Sequence, residues 1–178
     1  MQKISETVLI TGASRGLGRK TALTFATAGA RVVLCARNEK ELHSLSREIK
    51  ELNGQCMYYS VDIQDFEDID SIARSAADTL GPVTVLINNA AVIGPPEFLD
   101  NDNSPNWSET LDTNLKGPVN ATKAVLPFMQ KQERGTVINL VSGLAWMAFP
   151  RFSAYCTSKA ALYQLTRCLA EEYKDSNI

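Results

Sequence analysis

Histidine is almost missing from this chain: His43 is the only one in 178 residues. The four cysteines, Cys35, Cys56, Cys156 and Cys168, are scattered, with no C-x-x-C pair. A zinc site of the usual kinds needs clustered Cys and His ligands, so this poverty argues against one. The thiols are expected to be reduced and buried, as in a cytosolic protein. That includes Cys156, beside Tyr155, whose expected role is packing rather than reactivity. An excess of either charge is also lacking. Lys and Arg number 18 against 20 Asp and Glu, a net charge of -2. Such a balance gives no electrostatic basis for binding nucleic acid or an anionic membrane. No apolar run approaches the roughly 20 residues of a membrane span. The opening MQKISETVLI has neither a long apolar core nor a small-residue cleavage site, so no signal peptide is predicted and the cytoplasm is the expected compartment.

What is present is ordinary globular material, with 44% apolar and 21% charged residues. One domain over residues 1–178 is expected, able to bury roughly 70% of the surface its unfolded chain exposes. It needs neither disulfide nor metal to fold. Short β-branched or apolar runs alternate with longer helical patterns. Strands are predicted at 7–11, 31–36, 55–61, 83–87 and 136–141. Helices are predicted at 16–28, from an Asn38 cap to about 52, at 65–80, at 107–131 with a kink or break at Pro118, and at 152–174. Residues 93–105, rich in Pro, Asn and Asp, read as a loop. This alternation implies a doubly wound, Rossmann-like parallel sheet in the order 3-2-1-4-5, with a ligand crevice at the carboxyl ends of strands one and four.

Three features carry chemistry. Thr11-Gly12-Ala13-Ser14-Arg15-Gly16-Leu17-Gly18 follows the first strand and opens the first helix. In that context glycines let the backbone turn tightly and approach a pyrophosphate at a helix N-terminus. Tyr155 and Lys159 stand one helical turn apart on one face. The lysine charge can lower the phenol pKa from its reference of about 10, making it a usable proton donor or acceptor. Ser142 lies just after the fifth strand, thirteen residues before Tyr155. At the end of strand two, where an NAD site typically places an acid, the chain reads Ala36-Arg37-Asn38. Arg37, with Arg15 in reach, suits a 2′-phosphate, so NADP(H) is favoured over NAD(H).

TGASRGLG, Asn88-Asn89-Ala90-Ala91, the N-L-K-G at Asn114 to Gly117, the V-S after strand five, and Y-C-T-S-K together resemble the short-chain dehydrogenase/reductase family. The resemblance runs along essentially the whole chain and is strongest to NADPH-dependent carbonyl reductases, which include 3-oxoacyl-carrier-protein reductases. The G-x-x-x-G-x-G spacing argues against the extended, sugar-nucleotide-modifying relatives, which usually carry G-x-x-G-x-x-G.

The resemblance implies that Tyr155 protonates the carbonyl oxygen. Lys159 tunes Tyr155 and binds the nicotinamide ribose, Ser142 polarises the substrate oxygen, and Asn114 holds a water that relays protons. It implies a cofactor site made by Gly12, Ser14, Arg15, Gly16, Leu17, Gly18 and Arg37, with Asp62 and Ile63 at the adenine and Asn89 and Ala90 at the adenosine ribose. A small-molecule carbonyl or alcohol substrate is implied, with 3-oxoacyl thioesters among the candidates, and a homo-oligomer formed through helices near 107–131 and 152–174. Ser142 as a turn cap, Asn114 as a helical Asn bonding backbone, and Asp62 as a turn residue stay open. So does the choice between a substrate pocket and plain loop packing for Leu144, Trp146, Met147, Phe149, Ile93 and Pro95.

Two departures stand out. Ala91 occupies a place that is commonly glycine in the family, which costs energy if that residue needs positive φ. The chain also ends at Ile178, where resembling proteins continue into further strands that wall the substrate site. The sheet is therefore expected to lack the usual last strands, leaving strand five's edge and an apolar face of the last helix uncovered. A non-catalytic NADP(H)-binding or interaction module is the alternative expectation.

Overall fold

The computed structural model describes residues 5–99 and 106–178. Five strands form one parallel sheet in the order β3-β2-β1-β4-β5. They are β1 (Thr7–Thr11), β2 (Arg31–Ala36), β3 (Gln55–Ser60), β4 (Val85–Asn88) and β5 (Thr136–Asn139). The helices are α1 (Gly16–Thr27), α2 (Glu39–Glu51), α3 (Phe66–Thr79), α4 (Asn106–Leu111), α5 (Gly117–Lys131) and α6 (Ser153–Glu172).

Alternation along the strands sends neighbouring side chains to opposite faces. Val8, Ile10, Val32 and Leu34 pack with Ala22, Leu42, Leu45 and Ile49 of α1 and α2. Leu9, Val33 and Leu86 pack on the other face with Ile69 and Ala73 of α3 and with Val125 and Met129 of α5. β1 is buried along its whole length, as a central strand covered on both faces must be. Val8 pairs with Val32 on one side and Val85 on the other, which fixes the register. The expected Asn38 cap is present, accepting from the Glu41 N–H at 3.2 Å; Asp65, expected as the first residue of the third helix, is instead its cap and accepts from the Asp68 N–H at 3.2 Å.

Several sequence expectations are corrected. β4 begins at Val85 rather than residue 83, and β3 and β5 end one and two residues early. The helix expected at 107–131 is interrupted by a π-helical turn at Asp112–Lys116, closed by a Gly117 N–H to Asp112 carbonyl bond. Pro118 sits in the first turn of α5, where its missing N–H costs nothing, so the break precedes it. Loop residues 93–99 carry no helix or strand, while 100–105 of the same expected loop lie outside the described residues. Of the four free thiols only Cys35 is buried; Cys168 is exposed and the other two are half-buried. Burial pushes the Cys35 thiol up to about 12. Asn53, Glu133 and Arg151 are the described non-glycine residues with positive φ. Ala91 is not among them, so alanine is tolerated there. β5 forms a sheet edge, with Ile138 42% exposed. Among the described residues no helix is long and apolar enough to cross a membrane.

Leu9 is fully buried in the central strand. Leu9→Ala is expected to lower the unfolding free energy by about 2–5 kcal/mol, read from urea denaturation.

Candidate active site

The loop after β1 is shaped by what cannot fit in it. Gly12 has φ +65°, and a Cβ there would lie 2.7 Å from the Ala90 Cα. A Cβ on Gly18 would lie 2.3 Å from the Gly12 carbonyl oxygen and 2.5 Å from Asn89 Nδ2. Gly16, at φ +55°, faces open space. The Asn89 side-chain amide donates to the carbonyls of Thr11 and Gly12, both at 3.0 Å. The Thr11 hydroxyl accepts from the N–H groups of Asn89 and Ala90, both at 3.1 Å. Arg15, at the N-cap of α1, makes no side-chain cap bond. The first N–H groups of α1 therefore stay available to an anion.

These constraints open a cavity of about 650 Å³ at the carboxyl ends of β1, β2 and β4. Gly12, Ser14, Arg15, Gly16, Leu17, Arg37, Asp62, Ile63, Asn89 and Ala90 all line it. Gly18 packs behind the loop. Arg15 and Arg37 are exposed, and neither forms an ion pair among the described residues. Asp62 accepts from the Gln64 N–H at 3.0 Å, so it serves the turn as well as facing the cavity. Glu41, Val92 and Thr113 also line the cavity. Their positions in helix, loop and π turn carry no motif that would have marked them.

Tyr155, Lys159, Ser142 and Asn114 do not line this cavity; Tyr155 borders a smaller one of about 100 Å³ beside it. A hydrogen-bonded chain joins the two regions. Asn114 is fully buried and grips Val92 at both backbone groups, accepting from its N–H and donating to its carbonyl, each at 2.8 Å. The same amide donates to the Ser158 hydroxyl at 3.1 Å, and Ser158 donates to the Tyr155 carbonyl at 2.8 Å. The alternative of Asn114 bonding backbone is thus realised for its side chain. Ser158 was missed as a positioning residue, and its place between Tyr155 and Lys159 was the available signal.

Lys159 is buried, and its ammonium donates to the Leu140 carbonyl at 2.7 Å, just past β5. Nζ lies 5.8 Å from the centroid of the Tyr155 ring. Burial pulls the Lys159 ammonium from an ordinary 10.5 down to about 8. Ser142 is half-buried and caps the 3₁₀ turn Gly143–Ala145, accepting from the Leu144 N–H at 3.2 Å. That bond uses a lone pair and leaves the O–H free to donate elsewhere. Trp146, after this turn, meets Tyr163 of α6 edge-on at 4.9 Å, which holds the turn against the helix.

A doubly wound parallel sheet with a glycine loop opening onto a helix at the crossover point defines a Rossmann-type α/β protein. The description "short chain dehydrogenase" matches residues 6–178, and the chain belongs to that family. It is similar to short-chain dehydrogenase/reductase 3 of Homo sapiens, with 37% identity over 92% of this chain and 54% of the relative. It is also similar to the 3-oxoacyl-[acyl-carrier-protein] reductase FabG of Thermotoga maritima, with 32% identity over 96% of this chain and 69% of the relative. A 7α-hydroxysteroid dehydrogenase solved with NADH and 7-oxo glycochenodeoxycholic acid superposes with a TM-score of 0.90 at 30% identity, covering 96% of this chain and 66% of that one. The chain thus spans about half the length of the human relative and two thirds of the solved structure.

Gly12→Ala is expected to cost at least about 1 kcal/mol from positive φ alone, with the Ala90 clash added, as measured by denaturant midpoint. The Lys159 shift gives a pH signature. Between about pH 8 and 10.5 the unfolded chain holds a proton on Lys159 that the folded chain has released, so this group's contribution to stability rises with pH. Cys35, raised from 9.0 to about 12, opposes it above pH 9. The stability difference between Lys159→Met and wild type cancels the Cys35 effect and should shift in favour of wild type from pH 8 to 10.5. A difference that stays flat across that range would contradict the burial of the ammonium.

Proposed function

We propose that this protein transfers hydride between NADP(H) and a carbonyl or secondary alcohol, with Tyr155 as general acid–base. The observation that carries the reading is Lys159, buried, anchored on the Leu140 carbonyl and 5.8 Å from the Tyr155 ring. A cation held at that place ties α6 to the end of β5 and stands beside the ring whose hydroxyl would exchange the proton. The cradle of Gly12, Gly16 and Gly18 fits a dinucleotide, because its backbone is kept free of side chains where a pyrophosphate must approach. When bound there, the nicotinamide supplies the hydride.

The chain's own residues do the rest. The α1 N-terminus and glycine loop hold the pyrophosphate, together with Ser14 and Leu17. Arg37 and Arg15 hold the 2′-phosphate. Asp62 and Ile63 border the adenine, Asn89 and Ala90 the adenosine ribose, and Lys159 the nicotinamide ribose. In reduction, Ser142 donates to the carbonyl oxygen and stabilises its developing charge. Tyr155 then delivers the proton to that oxygen, and Lys159 with a water at Asn114 restores it. The 7α-hydroxysteroid enzyme was solved with NADH, so the NADP(H) preference rests on Arg15 and Arg37. 3-Oxoacyl thioesters, the class named for the Thermotoga relative, are the first substrates to try. Association through the faces of α4, α5 and α6 belongs to the same proposal.

Tyr155→Phe should lower turnover of a ketone and β-ketoacyl thioester panel by roughly 10²–10⁴-fold while NADPH binding, followed by fluorescence titration, changes little. Lost binding with intact turnover per bound cofactor would overturn the role. NADPH binding with no turnover of any substrate would favour a non-catalytic nucleotide-binding module. Arg37→Ala should weaken NADPH by about tenfold or more and leave NADH unchanged; an equal effect on both would remove the 2′-phosphate assignment.

A further inference from the structure

A carboxylate without a partner stands in the wall of the larger cavity. Glu41 lines that cavity alongside Arg37 and Asn38, which follow β2 directly. It is exposed, so a ligand in the cavity has open access to it. Glu41 is the third residue of α2. Helical side chains lean back over the preceding turn, here toward Asn38 and Arg37. The local sequence offers Glu41 a plain structural role. An Asn cap followed three residues later by Glu has the spacing of a capping box, in which the acid accepts from the N–H of the cap residue. Only half of that box forms. The Asn38 side chain accepts from the Glu41 N–H at 3.2 Å, while the Glu41 carboxylate has no hydrogen-bond or ion-pair partner among the described residues. Arg37 does not pair with it either. The Ser60 hydroxyl donates to the Arg37 carbonyl at 3.1 Å, which holds this backbone in place beneath both side chains. Asp62, the other acid of the cavity, is already engaged by the Gln64 N–H. One wall therefore carries a free cation and a free anion that do not neutralise each other.

We infer that Glu41 is a specificity-determining residue of this cavity, accepting the adenosine ribose 2′-hydroxyl of NAD(H) and opposing the 2′-phosphate of NADP(H), so that the chain binds both cofactors. This rests on the reading of the larger cavity given above. An NAD site typically takes that hydroxyl with an acid at the end of the second strand, and Ala36-Arg37-Asn38 has none. Glu41 supplies the carboxylate from one turn into α2. A carboxylate accepts from a hydroxyl and repels a phosphate, whereas a guanidinium attracts the phosphate. The preference for NADP(H) is then a difference between two opposed charges on one wall, not the effect of the arginines alone.

The test measures binding of NADH, 2′-deoxy-NADH and NADPH to the full chain by fluorescence titration, with NADPH oxidation by a ketone panel followed separately. Wild type should hold NADH about threefold or more tighter than 2′-deoxy-NADH. Glu41→Ala should erase that difference. Glu41→Gln, which removes the charge and keeps the shape, should tighten NADPH relative to NADH by about three- to tenfold. The ratio is the readout, because a merely structural loss at the start of α2 would weaken both nucleotides together. Equal binding of NADH and its 2′-deoxy form by wild type overturns the inference without needing a folded variant. An unchanged NADPH-to-NADH ratio in Glu41→Gln overturns it as well, and NADPH oxidation by wild type would then leave the hydride-transfer reading standing. A Glu41-dependent ratio without oxidation of NADPH by any ketone would keep the inference and remove the hydride-transfer reading, so the two failures are distinguishable. Wild type that binds neither nucleotide overturns both.

Discussion

Three stretches of backbone meet after β1 with no room for a side chain between them. Gly12 comes against Ala90, and Gly18 comes against both Gly12 and the Asn89 amide. Everything at the carboxyl end of the sheet follows from that contact. It sets the angle at which α1 leaves the sheet and holds the end of β4 against the end of β1. It keeps the mouth of the large cavity free of Cβ atoms. The Thr11 hydroxyl and the Asn89 amide lock the arrangement with four bonds between β1 and the segment after β4. Two packed faces support it from below. A parallel sheet buried on both sides presents a rigid edge from which loops can project.

The second constraint is polar. Asn114, in a π-helical turn, ties the segment after β4 to α6 through Val92 and Ser158. Lys159 ties α6 to the end of β5 through Leu140. α6 is thereby referenced to both strands that flank the crevice. The π turn is the local device that brings Asn114 there, since an extra residue in the turn shifts which side chain faces inward. A buried ammonium with one carbonyl partner is destabilising by itself, which explains why its proton is held weakly. α6 otherwise buries little: Ser158, Lys159 and Leu162 are its buried residues. Its place is fixed more by these polar ties than by an apolar stripe.

The two cavities divide the labour. The larger is lined by the glycine-loop backbone, by the cationic Arg15 and Arg37, and by the acidic Glu41 and Asp62 with Leu17 and Ile63. The smaller mixes apolar side chains such as Ile93 and Phe152 with polar ones such as Glu97 and Arg151, and Tyr155 lines it as well. Val92 belongs to the wall of the first, and through Asn114 to the support of the second. One short path of hydrogen bonds, Val92 to Asn114 to Ser158 to the Tyr155 carbonyl, thus joins the two walls.

The sequence by itself determined the strand order, the two-sided core and the glycine loop. Each is written in short-range pattern: continuous apolar runs such as Val8–Ile10 in Thr7–Thr11, caps such as Asn38, and glycines at positions a side chain cannot occupy. Many residues that line the larger cavity were legible for the same reason, since they follow strands directly in the chain. The tertiary structure alone decided the rest. The π turn at Asp112–Lys116 has no local signature and arises where a helix must satisfy Asn114 and α5 packing together. Cys156 and Cys168, read as buried, lie on a helix whose outward face is open. Ser142 proved to cap a turn as well as to sit beside α6. Glu97 looked like an ordinary loop acid, because one wall beside it, Arg151 to Tyr155, comes from residues more than fifty positions away in the chain. Burial of a polar atom is a property of the assembled surface around it, and no local pattern encodes that.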